Sequence, residues 1–355
     1  MTLQQLLGIE LPIVQAPMAG VQGSALAVAV SNAGGLGSLP CAMLSPDALR
    51  DELAAIRAAT ARPFSINFFC HVPPEPSAER EAAWRHALAP YYREFGIDIT
   101  EIPAGPGRTP FDSAAADLLE AFRPPVVSFH YGLPSPELVA RVKGWGTKVL
   151  SSATTIEEAR WLEAHGVDAV IAQGIEAGGH RGMFLTQDLA TQSGTLALVP
   201  QVVRAVRVPV IAAGGIADAR GVAAALALGA AGVQVGTAYL LCPEASTSAV
   251  HRAALNSEAA RTTVLTNVFS GRPARAIVNR IIRELGPISG AAPAFPLAAV
   301  AIAPLRAHAE RGGSGDFSPL WSGQNASGCR AIPAAELTRA LAAGVRGATN
   351  ASPAR

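Results

Sequence analysis

The chain has 355 residues, of which 50% are hydrophobic, 15% charged and 5% aromatic, with a formal net charge of +1. It is too apolar for a disordered protein and long enough to bury a core without disulfides or a metal. With a near-neutral charge balance and no basic block, nucleic acid is excluded as its main partner.

The first residues, MTLQQLLGIELP, show no basic stretch leading into an apolar core, so no signal peptide is expected. From there to about residue 245 two patterns alternate. Short β-branched runs ending in Gly, Ala, Ser or Asn predict strands at 13–18, 35–39, 64–69, 126–131, 148–152, 169–173, 208–212 and 232–235. Ala/Leu-rich runs with helical spacing predict helices at 24–32, 46–59, 135–143, 156–164, 198–206 and 218–227. Continuous apolar strands alternating with helices indicate a parallel sheet buried on both faces. Eight of them match a closed (β/α)8 TIM barrel of the α/β class. An open doubly wound sheet is the alternative, but its usual Gly-x-Gly-x-x-Gly after the first strand is missing.

Residues 72–125 are Pro-rich around an amphipathic run from Glu79 to Phe95 and read as an insertion at the active-site end. Val222 to Cys242 carries no charge over 21 residues, a length that spans a bilayer, yet Gly229 and Gly232 interrupt it. It reads as a buried helix, a turn and a buried strand. No strand is expected after residue 245. The division expected is a barrel over 1–245, a smaller, mainly helical region over 246–346 closing the active site, and a frayed tail over 347–355. Cys41, Cys70, Cys242 and Cys329 form no CxxC pair, which fits a reducing cytoplasm without a disulfide framework or zinc site.

Barrel chemistry sits at the C-terminal ends of the strands. Those ends read Gln15-Ala16-Pro17-Met18, Asn67, His130-Tyr131-Gly132, Ser151-Ser152, Gln173-Gly174, Gly178-Gly179-His180, Gly214-Gly215 and Gly236-Thr237. The set is polar and Gly-rich, suited to backbone donors around a large ligand. AAGGIAD (Ala212–Asp218) and QVGT (Gln234–Thr237) follow the seventh and eighth expected strands, where such barrels commonly bind phosphate; the alternative is a pair of ordinary tight turns. Asp218 is placed to cap the next helix.

His180, in GIEAGGHRG, is the natural general base, against a plain hydrogen-bonding role. Glu176 and Asp188 lie near it in sequence, to orient it or to cap helices. His130 and Tyr131 either contact substrate or pack beneath it. Asn67 and Gln173 either bind the edge of a heteroaromatic ring or make internal amide bonds. Only two lysines exist; Lys148 opens a strand at the wrong end of the barrel and Lys143 lies on a helix, which excludes Schiff-base chemistry. No spacing suggests a metal site, a Gly-x-Ser-x-Gly elbow or a Walker loop.

With these residues in view, the chain resembles the nitronate monooxygenases, formerly called 2-nitropropane dioxygenases, and among them the bacterial class I group. The matching stretches are PIVQAPMAGVQGSALAVAVSNAGGLGSL at 12–39, INFF at 66–69, SFHYGLP at 128–134, QGIEAGGHRG at 173–182, PVIAAGGIADARGV at 209–222, QVGTAYLLCPEA at 234–245, FSGRPARAIVN at 269–279 and LWSGQ at 320–324. The resemblance implies an FMN enzyme. Asn67, Gln173, Gly178, Gly215 and the run Gln234, Val235, Gly236, Thr237 would bind FMN, Gly214 would add a phosphate contact, and Ala16 and Met18 would lie by the isoalloxazine ring. His180 matches the catalytic histidine, with His130, Tyr131 and Arg181 on the substrate side.

The activity implied is oxidation of alkyl nitronates with O2 to a carbonyl compound and nitrite through a flavin semiquinone, with His180 taking the α-proton of neutral nitroalkanes. The implied partners are these small molecules and O2, with no nucleic acid and no membrane; a homo-oligomer is left open. One departure stands out. In the family, the segment matching 295–303 supplies tyrosines and a lysine to substrate, whereas here it reads FPLAAVAIA. Arg181, Arg272 and Arg275 are the candidates to compensate, and a preference for less polar nitronates over propionate 3-nitronate is expected. The alternatives are an NAD(P)H-dependent quinone or enoyl-thioester reductase on the same barrel, and a non-enzymatic FMN-binding barrel.

Overall fold

Apolar runs separated by capped helices pair side by side here. The computed structural model describes residues 1–75, 77–98, 100, 102 and 108–350, with side chains through residue 345. Its strands are β1 (Ile13–Gln15), β2 (Gly37–Pro40), β3 (Phe64–Phe69), β4 (Val126–His130), β5 (Lys148–Ala153), β6 (Ala169–Gln173), β7 (Gly179–His180), β8 (Val210–Ala213) and β9 (Gly232–Val235). All but β7 form one parallel sheet in the order β1-β9-β8-β6-β5-β4-β3-β2. A Val14↔Leu36 bridge, with Gln15 N donating to Leu36 O and Leu36 N to Ile13 O at 2.9 Å each, closes the ring between β1 and β2. The expected TIM barrel is the fold.

The surrounding helices are α1 (Leu3–Leu7), α2 (Ser24–Asn32), α3 (Pro46–Ala59), α4 (Ala78–Phe95), α5 (Ser113–Glu120), α6 (Pro136–Gly144), α7 (Ile156–Ala164), α8 (Thr195–Ala205) and α9 (Ala219–Ala227). Their starts are local chemistry. Ser45, Thr155 and Asp218 each accept a hydrogen bond from a backbone N–H three residues on, at the heads of α3, α7 and α9. Inside the barrel Val14, Leu36, Leu150, Ile171 and Ile211 pack with Leu3 and Leu7 of α1. That plug closes the N-terminal end and leaves only the C-terminal end for a ligand. Val222–Cys242 divides as expected into helix, turn and strand, and among the described residues no helix is long and apolar enough to cross a membrane.

α2 crosses β2 so closely that a Cβ on Gly37 would lie 1.9 Å from the carbonyl oxygen of Ala27. Backbone cannot yield there as a flexible side chain would. Gly37→Ala is therefore expected to destabilise the protein by about 3 kcal/mol, the upper end for overpacking, read as a lowered denaturation midpoint; an unchanged midpoint would refute so tight a crossing.

Past residue 245 the chain continues as α10 (Ala249–Leu255), β10 (Thr263–Thr266), β11 (Ala274–Ile277), α11 (Arg280–Leu285), α12 (Ala298–Arg311) and α13 (Ala334–Asn350). The expectation of no strand here is corrected. β10 and β11 form an antiparallel sheet whose third member is β7, with Ala274 opposite His180 and Arg275 opposite Gly179. The insertion helix α4 joins this region. Trp84, Leu88 and Tyr92 pack with Ala298, Ile302 and Leu305 of α12. Trp84 Nε1 donates to Ala298 O at 3.1 Å, and Tyr92 Oη to Ala301 O at 2.6 Å. α13, by contrast, lies against α9 and α2 on the barrel wall, away from the site. It runs on to Asn350, past the expected start of the tail, and 351–355 lie outside the described residues.

Candidate active site

A cavity opens at the C-terminal end of the strands. Ala16, Met18, Asn67, Gln173, Gly178, Gly214, Gly215, Gln234, Gly236 and Thr237 line it, together with His130 and His180. Two of the residues expected on the substrate side, Tyr131 and Arg181, do not. Val235 is also off the wall: its side chain is buried in the core, and only its carbonyl serves the site, accepting from Ala16 N at 2.8 Å.

The Ala16–Met18 turn leaves the β1 ladder because buried amides hold it. Gln15 Nε2 donates to Gln22 Oε1 at 2.6 Å, Gln22 Oε1 also accepts from Met18 N at 3.2 Å, and Gln22 Nε2 donates to Ser38 O at 2.6 Å. Gln22 was not expected as a site residue, and nothing in its local sequence marks it. Gly214 and Gly215 adopt φ +118° and +72°, a region glycine enters freely. The backbone N–H groups of Gly214, Gly215, Gly236 and Thr237 find no acceptor among the described residues. All four residues are half-buried at the cavity wall, so these donors are free to meet an acceptor from outside the chain. A Cβ on Gly178 would lie 2.5 Å from Gly323 N, where the 322–325 segment docks. That segment is pinned by Gly323 N donating to Thr237 Oγ1 at 2.9 Å and Asn325 Nδ2 to Gly215 O at 3.0 Å.

His180 is fixed from both sides. Its carbonyl accepts from Gln173 Nε2 at 3.0 Å and from His130 Nε2 at 3.2 Å, while Gln173 Oε1 accepts from Gly182 N at 2.8 Å. His130 Nδ1 takes a hydrogen bond from Ser152 Oγ at 2.6 Å. His130 thus packs beneath His180, and Gln173 spends most of its amide on the same loop. Ser270 Oγ donates to Arg272 O at 3.3 Å, which leaves it to accept from His180 Nε2 at 2.8 Å. We assign the Nε2–H tautomer from this network, with Nδ1 as the basic nitrogen. The ring lies among Trp321, Phe295 and Phe69, with centroids at 5.2, 5.4 and 6.2 Å.

Burial holds His180 well below its ordinary pKa of 6.5, aided by Arg108, His130 and Arg272. Burial likewise brings His130 down to about 3. Both rings are neutral at pH 7.

Arg181 is corrected as a substrate residue. It is fully buried, its guanidinium donating to Gly174 O at 2.6 Å, Gln173 O at 2.7 Å and Gln192 Oε1 at 3.0 Å, and it staples the end of β6. Arg275 does the same for Ile175 O and Thr263. Arg272 donates to Met183 O at 2.5 Å and lies 4.0 Å above the Tyr131 ring. Glu176 caps the head of α8 through Thr195 N and Oγ1, and Asp188 accepts from Ala190 N; neither is bonded to His180.

Arg108, in the insertion, also lines the cavity and was missed in the sequence. Among the described residues, no group of His, Cys, Asp and Glu is placed to hold a metal.

The nitronate monooxygenase family model matches residues 1–344. The nitronate monooxygenase of Paraburkholderia phytofirmans is 45% identical over 95% of this chain and 92% of that protein. That of Pseudomonas aeruginosa is 45% identical over 97% and 98%. Among solved structures, nitroalkane oxidase from Streptomyces ansochromogenes superposes with a TM-score of 0.88 at 41% identity, covering 98% of this chain and 99% of that one. FabK from Thermotoga maritima gives 0.73 at 30%, covering 99% and 97%.

Proposed function

The chain belongs to the nitronate monooxygenase family and is an oxidoreductase of that kind, and on this premise we propose that it binds FMN and oxidises alkyl nitronates with O2 to carbonyl compounds and nitrite. The observation that carries the reading is one cavity joining four open backbone N–H groups to a neutral, fixed imidazole. Gly214, Gly215, Gly236 and Thr237 would hold the phosphate. Ala16, Met18 and Asn67 would line the flavin ring, with Gln173 and Gly178 shaping the wall beside it. Asn67 spends its Nδ2 on Ser128 O and Oγ at 3.1 and 3.0 Å, which turns its oxygen to the ligand.

Bound flavin supplies the redox chemistry, and the protein supplies orientation and electrostatics. A nitronate arrives already deprotonated and needs only to be held. A neutral nitroalkane must first lose its α-proton, and His180 Nδ1 receives it. The imidazolium so formed stands beside the new anion, and that attraction offsets the cost of charging a buried ring. Four free cysteines suit a reducing, cytoplasmic setting.

The test is an absorbance spectrum of the purified protein, then oxygen uptake and nitrite release with a panel of nitronates. A flavin spectrum whose cofactor is released as FMN, with nitrite formed, is expected. Absence of flavin, or rapid anaerobic bleaching by NADH without nitrite formation, would instead favour the reductase alternative or a non-enzymatic barrel.

A further inference from the structure

We infer that Arg108 recognises the planar O–N–O head of the nitronate and retains the nitrite formed from it, an inference that rests on the nitronate reading above. Arg108 lines the same cavity as His180. Its guanidinium lies 5.7 Å above the Phe69 ring and 5.5 Å above the Phe295 ring, both of which surround His180. Among the described residues it has no carboxylate partner and its side chain donates no hydrogen bond. The other arginines near the site, Arg181, Arg272 and Arg275, are spent on backbone carbonyls. Of these four arginines Arg108 alone keeps its fork of donors unspent among the described residues, and such a fork matches a planar oxyanion with two parallel hydrogen bonds.

The corner around it is built for an anion. Arg108 is anchored by its own backbone, whose carbonyl accepts from His71 Nε2 at 3.0 Å. Tyr131, 3% exposed, has a hydroxyl without a partner and a backbone at φ +72°, unusual for a residue with a side chain. It packs against Phe69 and Phe295 with centroids at 5.1 and 5.5 Å, in contact with Arg272. Burial raises the Tyr131 pKa and lowers that of His71; Arg108 and Arg272 act as nearby positive charges on both. A guanidinium without a carboxylate partner among the described residues, near an unpaired hydroxyl, attracts a negative group. Arg108 and His180 share Phe69 and Phe295 as neighbours, so a nitronate held by its O–N–O head on Arg108 stays in the cavity that His180 lines. Nitrite carries the same O–N–O group, so the product stays on the same fork after the C–N bond is broken.

A substrate carboxylate is the other source of a planar oxyanion, and the test separates the two. Sodium nitrite and sodium propionate are titrated into the purified enzyme by calorimetry, for wild type, Arg108→Gln and Arg108→Lys. Wild type is expected to bind nitrite saturably. Arg108→Gln should lose about tenfold or more in nitrite affinity, the usual worth of hydrogen bonds to a charged group. Arg108→Lys should fall between, which guards against a mere folding defect. In turnover, Arg108→Gln should raise KM for ethylnitronate by the same factor and leave kcat within about threefold. Equal nitrite affinity in wild type and Arg108→Gln overturns the inference. So does loss of propionate affinity with nitrite affinity kept, which would place a carboxylate on this cation. Failure of the underlying reading shows differently: wild type binds nitrite yet consumes no oxygen with any nitronate.

Discussion

His180→Asn is expected to lower kcat/KM for a neutral nitroalkane by about 10²- to 10⁴-fold, the range of a positioned general base, while oxidation of a pre-formed nitronate falls by less than about tenfold. The split follows from the geometry. The backbone at 180 is held by Gln173 and His130, neither of which touches the ring. Asparagine therefore keeps the loop in place and removes only the proton acceptor. A nitronate needs no acceptor, and its binding is assigned to Arg108. The pH profile carries a second signature. Because burial and the cations Arg108 and Arg272, with His130 behind, depress the His180 pKa, the ring keeps its lone pair as pH falls through 6.5. The acid limb of kcat/KM for the neutral nitroalkane should accordingly lie below 6.5. Equal losses on both substrates, or an acid limb at the ordinary histidine value, would remove His180 from this role.

Much of the barrel was legible from sequence because its signals are local. β3, β6 and β9 end where the apolar runs end, and α2, α3 and α7 span the residues expected, the last two with a Ser or Thr cap at the expected boundary. What the sequence hid is non-local. β7 is two residues, Gly179–His180, and shows no alternation until β11 pairs with it across nearly a hundred residues. Arg181 was expected on the substrate side as a candidate cation, yet successive side chains on extended backbone point to opposite faces. His180 faces the cavity, so Arg181 is sent into the protein. Arg108 stands in a Pro/Gly stretch where a lone cation ordinarily reads as solvated. It lines the cavity through tertiary contacts, lying over Phe69 and Phe295, while α4 of the same insertion packs on α12. Ser270 reaches His180 the same way, through the antiparallel sheet that the sequence did not reveal.

Acid should be unusually harmful to this fold. Four of its seven histidines, His71, His130, His180 and His251, have pKa values depressed first of all by burial. Burial takes His130 to about 3 and His251 to about 4. In the folded protein these rings stay neutral where free histidine, with a pKa of about 6.5, would be charged. As pH falls below 6.5 the unfolded chain takes up protons that the folded chain refuses, and stability falls with them. Above 6.5 both states are neutral and the effect vanishes. By pH 5 the loss is about 2 kcal/mol each for His130 and His251, a large share of the ~5–15 kcal/mol that holds a typical domain folded. His71 and His180 act in the same direction. Urea midpoints at pH 7 and pH 5 measure the total. His251→Gln keeps a donor for Trp321 O, which His251 Nε2 reaches at 3.1 Å, and removes one titrating group. The pH 7 to pH 5 loss should then shrink by about 2 kcal/mol. A midpoint that does not move between these pH values would mean that the buried rings take up protons without cost, which is incompatible with the burial that also keeps His180 neutral and ready to accept one.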